Sequence, residues 1–142
     1  VGVMGHTPEE RGNARRILEA LGPHGLDLTS CGSLVRLAAI LEKADLFVTN
    51  DTGPMHLASA LSVPTVGIFL KNNLNRFGPW GNPHRTVCPK DDSGPGPLTG
   101  SSKENRGALE TLSVEEVRNA CDELLRELAA SGRFRGGWVQ TA

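Results

Sequence analysis

The sequence predicts an α/β domain, Rossmann-like, with three α/β/α layers built around a parallel sheet. Three observations carry this expectation. Apolar, partly β-branched runs alternate with segments of helical periodicity, in the order β-α-β-α-β-α-β. The run at residues 46–49 is apolar without alternation, the pattern of a strand covered on both faces. Polar turns follow the strands, at the edge where open parallel sheets bind ligands.

Taken in order, residues 1–5 read as the end of a buried strand. They have no lead-in, and the chain is expected to be cut from something longer. Thr7-Pro8-Glu9-Glu10 is a helix start: Thr7 caps, Pro8 takes the first position, and Glu10 closes a capping box. Ala14, Ile17, Leu18 and Leu21 then share one helical face, and Gly22-Pro23 ends the helix. Residues 26–28 make a short strand and 29–32 a polar turn. Ser33 caps the next helix, whose buried stripe is Leu34, Leu37, Ala38, Leu41 and Ala44. After the strand at 46–49 and the turn Asn50-Asp51-Thr52-Gly53, Pro54 is expected as the first helical residue, since its missing N–H would have no intrahelical partner. That helix runs to Leu61 and is rich in small residues. A strand follows at 65–70, then a polar loop at 71–83 and a short last strand at 85–88. Residues 91–106 read as a long exposed loop. Ser113-Val114-Glu115-Glu116 is a second capping box. Val117, Cys121, Leu124, Leu125 and Leu128 form the face of the final helix, and Gly132 stops it.

Composition narrows the function. The 142 residues suit one domain, and a net charge of −1 gives no footprint for nucleic acid or an anionic membrane surface. No apolar run approaches about 18 residues, so no transmembrane helix is expected, and residues 1–5 lack the basic flank of a signal peptide. Three widely spaced cysteines argue against a disulfide framework and fit a reducing cytosol. Neither Cys-x-x-Cys nor His-x-x-x-His occurs, and no metal site is expected.

The polar turns carry the candidate chemistry. Gly53 lets backbone approach a ligand, and N–H groups of Gly53, Met55 and His56 at the helix start are expected to face an anion. His6-Thr7 and the Cys31-Gly32-Ser33 turn fall at the same expected sheet edge. One shared ligand with an anionic part, such as a nucleotide diphosphate, fits the three turns. Neither a Walker loop nor a G-x-G-x-x-G fingerprint is present. Each residue also has a plainer reading. Glu9 and Glu10 serve as capping and dipole compensation, or one of them bonds a ribose hydroxyl. Asp51 caps the helix, or binds. His56 packs against backbone, or binds.

The run from Ser33 through Ala44-Asp45-Leu46-Phe47-Val48-Thr49-Asn50-Asp51-Thr52-Gly53-Pro54-Met55-His56-Leu57-Ala58 to Val63-Pro64-Thr65-Val66 and Phe69 resembles the C-terminal domain of glycosyltransferase family 9, the bacterial heptosyltransferases of lipopolysaccharide core synthesis. The likeness continues through Arg76, Gly78-Pro79, Gly81 and His84. It implies the C-terminal, donor-binding half of a GT-B glycosyltransferase. Residues 1–132 would form the nucleotide-sugar domain, with a long loop near 89–111 and a loose tail at 133–142. The donor would be a nucleotide-diphosphate sugar, ADP-heptose, transferred to a lipopolysaccharide-core or other glycan acceptor without a metal or other cofactor. Carried over, Asp51 contacts sugar hydroxyls. Thr52, Gly53 and Met55 hydrogen-bond the diphosphate, with His56 beside the phosphates. Cys31, Gly32 and Ser33 lie against the adenine, and Glu9 or Glu10 takes the ribose. Lys71 and Arg76 offer cationic help to the diphosphate or are plain surface. No catalytic residue is assigned, because the family's general base belongs to an N-terminal acceptor domain that this chain lacks. The implied place is cytoplasmic, at most peripheral on the inner face of the bacterial inner membrane. One departure stands out: where the family usually has Gly-Pro-Thr and an acidic residue, this chain has Leu70-Lys71-Asn72-Asn73. The alternatives are a non-catalytic nucleotide-binding or interaction module of the same fold and a sugar-nucleotide epimerase relative.

Overall fold

The computed structural model describes residues 1–70, 74, 76–89, 109 and 111–133. Expectations for Lys71, for most of the 89–111 loop and for the tail with Trp138 lie outside those residues. The chain divides into two compact units, Val1–Ile40 and Leu41–Ala142. Both are built on parallel strands with helices, as the α/β class requires.

In the first unit, β1 (Gly2–Val3) pairs in parallel with β2 (Leu26–Asp27). The pairing reaches one residue further each way, since Leu26 N–H bonds Val1 O and Leu28 N–H bonds Val3 O. The connection is α1 (Pro8–Leu21) and a 3-10 turn (Gly22–His24). Thr7 and Glu10 complete the expected capping box. The Thr7 hydroxyl accepts from Glu10 N–H at 3.2 Å, and one Glu10 oxygen accepts from Thr7 N–H at 2.9 Å. Ala14 is buried while Ile17 is exposed. Leu18 and Leu21 are half-buried, so the inward line is 14, 18 and 21, at i, i+4 and i+7, and Ile17 falls off its edge. α2 (Leu34–Leu41) leads to the division between units. Leu41 is buried, as the stripe requires, but Leu34 is 70% exposed. It sits at the first helical position, before the stripe meets anything to pack on.

The second unit has three parallel strands in the order β3 (Phe47–Asn50), β4 (Thr65–Ile68), β5 (His84–Val87). The helix α3 (Gly53–Ala60) connects β3 to β4 and packs on both. The last helix, α4 (Val114–Ala130), packs on β4 and β5. Its Leu124 and Leu128 meet Val66 in the core, with Leu46, Val87, Val117 and Cys121 around them. Register places Val48, Val66 and Arg85 abreast, on one face. α4 covers that face over β4 and β5, and Val48, one strand further, is 46% exposed. The expectation that this strand is covered on both faces is thus corrected: β3 is the edge of its sheet, and its burial alternates. Arg85 reaches α4 and pairs with Glu127.

On the opposite face, Gly67 lies under the ring of Phe69, which is 1% exposed. A Cβ at Gly67 would sit 2.5 Å from that ring. Asn82 Nδ2 donates to Val63 O at 2.6 Å and to Thr65 Oγ1 at 3.0 Å, tying the start of β5 to the start of β4. The crossover between them is not all loop as expected. Leu74, Arg76 and Phe77 are helical, with Leu74 N–H to Leu70 O and Gly78 N–H to Leu74 O.

Helices α3 and α4 end alike. After α4, Gly132 is left-handed and Arg133 N–H reaches Leu128 O, a Schellman ending. After α3 the same bonds form, Val63 N–H to Ala58 O and Ser62 N–H to Ser59 O, but the left-handed residue is Ser62 at φ 57°.

Two outcomes follow from this packing. Gly67→Ala will destabilise the fold by about 1–3 kcal/mol through overpacking against Phe69. Ser62→Gly will stabilise it by about 1 kcal/mol, the strain of a left-handed side-chain-bearing residue. Urea denaturation of each variant reads both.

Candidate functional site

The strand-to-helix turn between β3 and α3 is where the polar residues gather. Asp51 is half-buried, and Thr52, Gly53 and His56 are exposed. Thr52 is the N-cap residue, so Gly53 is the first helical residue and Pro54 the second. This corrects the expectation that Pro54 opens the helix. It also moves the backbone donors. The N–H groups left over at a helix start are those of the cap and the next three residues. Pro54 has none, and Met55 N–H donates to Thr52 O at 3.0 Å. His56 N–H, one place further, falls inside the helical ladder. The donors at the turn are therefore those of Thr52 and Gly53, rather than Gly53, Met55 and His56. Met55 is fully buried and serves the core with Ala58.

The Thr52 hydroxyl does not cap the helix. It lies 3.3 Å from Asn50 O and 3.3 Å from the Thr49 hydroxyl, which is itself 3.1 Å from Asn50 O, and the two hydroxyl protons serve two of these three contacts. Thr7 and Ser113 show what an ordinary cap does here: each accepts from the N–H three residues on and is met by a glutamate. In α3 the corresponding hydroxyl is turned back to the strand. His56, four residues after Thr52, stands over the first turn, since helical side chains lean toward the N-terminus.

Gly53 is the informative residue. It is helical, so no left-handed backbone demands glycine, and among the described residues a Cβ built there meets nothing within 4 Å. Glycine near a helix start costs stability relative to alanine, about 0.5–1 kcal/mol in an interior. Neither its conformation nor packing among the described residues explains it. The arrangement can accept an anion at the helix start, with the α3 dipole behind it.

In the first unit, Glu9 and Glu10 open α1 after β1, and Cys31-Gly32-Ser33 precede α2 after β2. Because β1 and β2 are parallel, both turns lie at the carboxyl edge of that sheet. Glu10 is committed to structure: its carboxylate accepts N–H bonds from His6 and Thr7. Those bonds, Thr7 first, hold its pKa below the ordinary value. Glu9 is exposed. Gly32 has φ 48°, a left-handed conformation that favours glycine, and Ser33 O accepts the first bond of α2 from Leu37 N–H. Asp27, at the end of β2, accepts from the N–H and hydroxyl of Thr29, which lower its pKa also.

Sequence reasoning missed a second feature, on the far side of β4. Leu74, Gly78, Pro79 and Trp80 of the crossover, with Arg76, His84 and Thr86, line a cleft of about 370 Å³. Arg76, expected as help for a diphosphate or as plain surface, lies there with its guanidinium 5.3 Å from the Phe77 ring. The available signal was the alternation of His84 and Thr86 along β5 and an aromatic residue set between Gly78 and Gly81.

Comparison with known proteins adds to this geometry. Residues 1–104 match the family model of glycosyltransferase family 9 (heptosyltransferase). The chain is similar to lipooligosaccharide heptosyltransferase 2 of Campylobacter jejuni subsp. jejuni serotype O:2, 50% identical over 38 residues, which are 27% of this chain and 12% of that protein. It is similar to the lipopolysaccharide core heptosyltransferase OpsX of Haemophilus influenzae, 34% identical over 50 residues, 35% of this chain and 14% of that protein. The crystal structure of a family 9 glycosyl transferase from Veillonella parvula superposes with a TM-score of 0.70 at 25% identity, over 89% of this chain and 36% of that one. The chain spans at most 23% of the length of the curated relatives it matches.

The two lowered carboxyl pKa values set a pH dependence. Carboxyls with folded values below their ordinary ones, 4.5 for Glu10 and 3.8 for Asp27, stabilise fully above those values. They lose that contribution as pH falls through the lower, folded ones. Acid unfolding followed by circular dichroism will steepen below about pH 4, and Glu10→Gln will flatten the slope.

Proposed function

The chain belongs to glycosyltransferase family 9, and on that premise we propose that it is the donor-binding part of a glycosyltransferase. The donor is a nucleotide-diphosphate sugar, ADP-heptose, and the acceptor a hydroxyl of a lipopolysaccharide-core or other glycan. The observation that carries this reading is Gly53. The fold does not require glycine there, and the space a side chain would fill adjoins the open start of α3.

In this reading the diphosphate lies against the Thr52 and Gly53 N–H groups. As the sugar–phosphate bond breaks, negative charge builds on the leaving diphosphate, and donors already in place favour that state over the ground state. Asp51 holds sugar hydroxyls from the strand end. His56 stands over the first turn of α3, within the same small region, and donates to phosphate oxygen. Thr49 keeps the Thr52 hydroxyl off the helix start. Lys71 is assigned cationic charge for the diphosphate, and Cys31, Gly32, Ser33 and Glu9 of the first unit are assigned to a nucleoside. The reaction uses no metal. The acceptor and the base that takes its proton belong to an N-terminal domain, and the enzyme works in the cytoplasm, peripheral at most to the inner membrane. Among the described residues no helix is long and apolar enough to cross a membrane.

The segment Leu70-Lys71-Asn72-Asn73 departs from the family pattern and favours a second reading, a nucleotide-binding module without transfer activity. Sugar transfer by the full-length protein separates the two. For the donor site itself, calorimetry with ADP is decisive. Gly53→Val should weaken ADP at least tenfold, and Asp51→Ala should weaken ADP-heptose at least tenfold while leaving ADP nearly unchanged. Gly53→Ala should leave unfolding stability equal or higher while still weakening ADP. A Gly53→Val protein that binds ADP as well as the parent would remove the basis of the assignment.

A further inference from the structure

The cleft on the far side of β4 has no part in the donor reading, and its lining is chemically specific. His84 and Thr86 alternate on β5, so they share one sheet face, while Arg85 and Val87 serve the face of α4. The His84 Nδ1 lies 2.8 Å from Asn82 O. A carbonyl only accepts, so Nδ1 carries a proton and Nε2 is left as an acceptor in the neutral ring. Thr86 adds a hydroxyl that donates or accepts. Above them the turn at 78–81 is fixed in shape. A Cβ at Gly78 would stand 2.8 Å from Leu74 O, and Gly81 is left-handed at φ 81°. Pro79 between them is buried.

This fixed turn holds Trp80 in solvent. Its indole is 89% exposed. Tryptophan is normally among the highly buried residues, and a large flat ring left in water gives up most of its hydrophobic stabilisation. Beside it Arg76 is exposed, held against Phe77 by a cation–π contact that leaves its donor edge open to an anion. The cleft of about 370 Å³ is within the size range of small-molecule sites.

We propose that this cleft binds a sugar ring that carries an anionic group. A pyranose presents an apolar C–H face and a rim of hydroxyls. The C–H face stacks on Trp80, and the hydroxyls meet His84 Nε2 and Thr86. The phosphate or carboxylate on the ring pairs with Arg76. The glycosyl donor is held elsewhere in the unit, at the start of α3, so the cleft takes a separate glycan.

Calorimetry on the full-length protein tests this with glucose 6-phosphate and glucuronate as the two anionic forms, and glucose and inorganic phosphate as controls. At least one anionic sugar should bind, with both controls at least tenfold weaker. Trp80→Ala and Arg76→Gln should each lower its affinity at least tenfold, Arg76→Lys should recover part of the loss, and Trp80→Ala should bind ADP as the parent does. Acrylamide should quench Trp80 in the ligand-free protein, and the anionic sugar should protect it. Failure of both anionic sugars to bind overturns the proposal. So does binding indifferent to both substitutions, competition with ADP, or a Trp80 already shielded before ligand is added, since the rest of the protein would then cover it. Loss of ADP binding alone would overturn the donor reading and leave the cleft standing.

Discussion

The larger unit depends on the close packing of β4. Its Thr65, Val66 and Gly67 are buried, and each residue has a neighbouring strand on either side. Val66 receives α4, while on the other face Gly67 makes room for Phe69 and Thr65 for Asn82. Protein interiors are close-packed, so a change of one methylene is felt by its neighbours. With β4 held on both faces and both edges, the turn after β3 and the turn at 78–81 that leads into β5 have a packed strand to rest on. Each of the two polar regions of this unit thus borrows its rigidity from the same four residues.

The helix starts differ in how they use the cap residue. Thr7, Thr52 and Ser113 occupy the same cap position. Two of them satisfy their helices from within the chain. The third spends its hydroxyl on the strand end and leaves a backbone donor at Gly53. A capping bond is worth about 1 kcal/mol, and α3, at eight residues, is too short to be stable without tertiary packing. Burial of Met55 and Ala58 supplies that packing, so the helix survives with its end open.

Much of this was legible in the residues. Element order and both capping boxes were readable because their determinants lie within four positions of one another. The helix stop at Gly132 was readable for the same reason. The Asp51-Thr52-Gly53 turn was readable as a strand-to-helix turn because a strand end, a glycine and a helix start come together in sequence. Facts that depend on what packs where were not legible. Val48 looked like core, but α4 covers only β4 and β5. Leu34 and Ile17 fit a helical period, yet the stripe that meets a partner is narrower than the period allows. Met55 looked like an anion donor, and its N–H is used by Thr52. The cleft at Trp80 was hidden because its walls come from a crossover and a strand whose alignment only the register of β4 with β5 reveals.

Gly53 also has a consequence on an evolutionary scale. The fold exerts no pressure to keep glycine at that position and a mild pressure to lose it. The architecture accepts either glycine or a side chain at 53. In the proposed donor reading only glycine leaves room for the diphosphate, so the residue at 53 in other chains of this fold would separate those able to hold it from those that have the architecture alone.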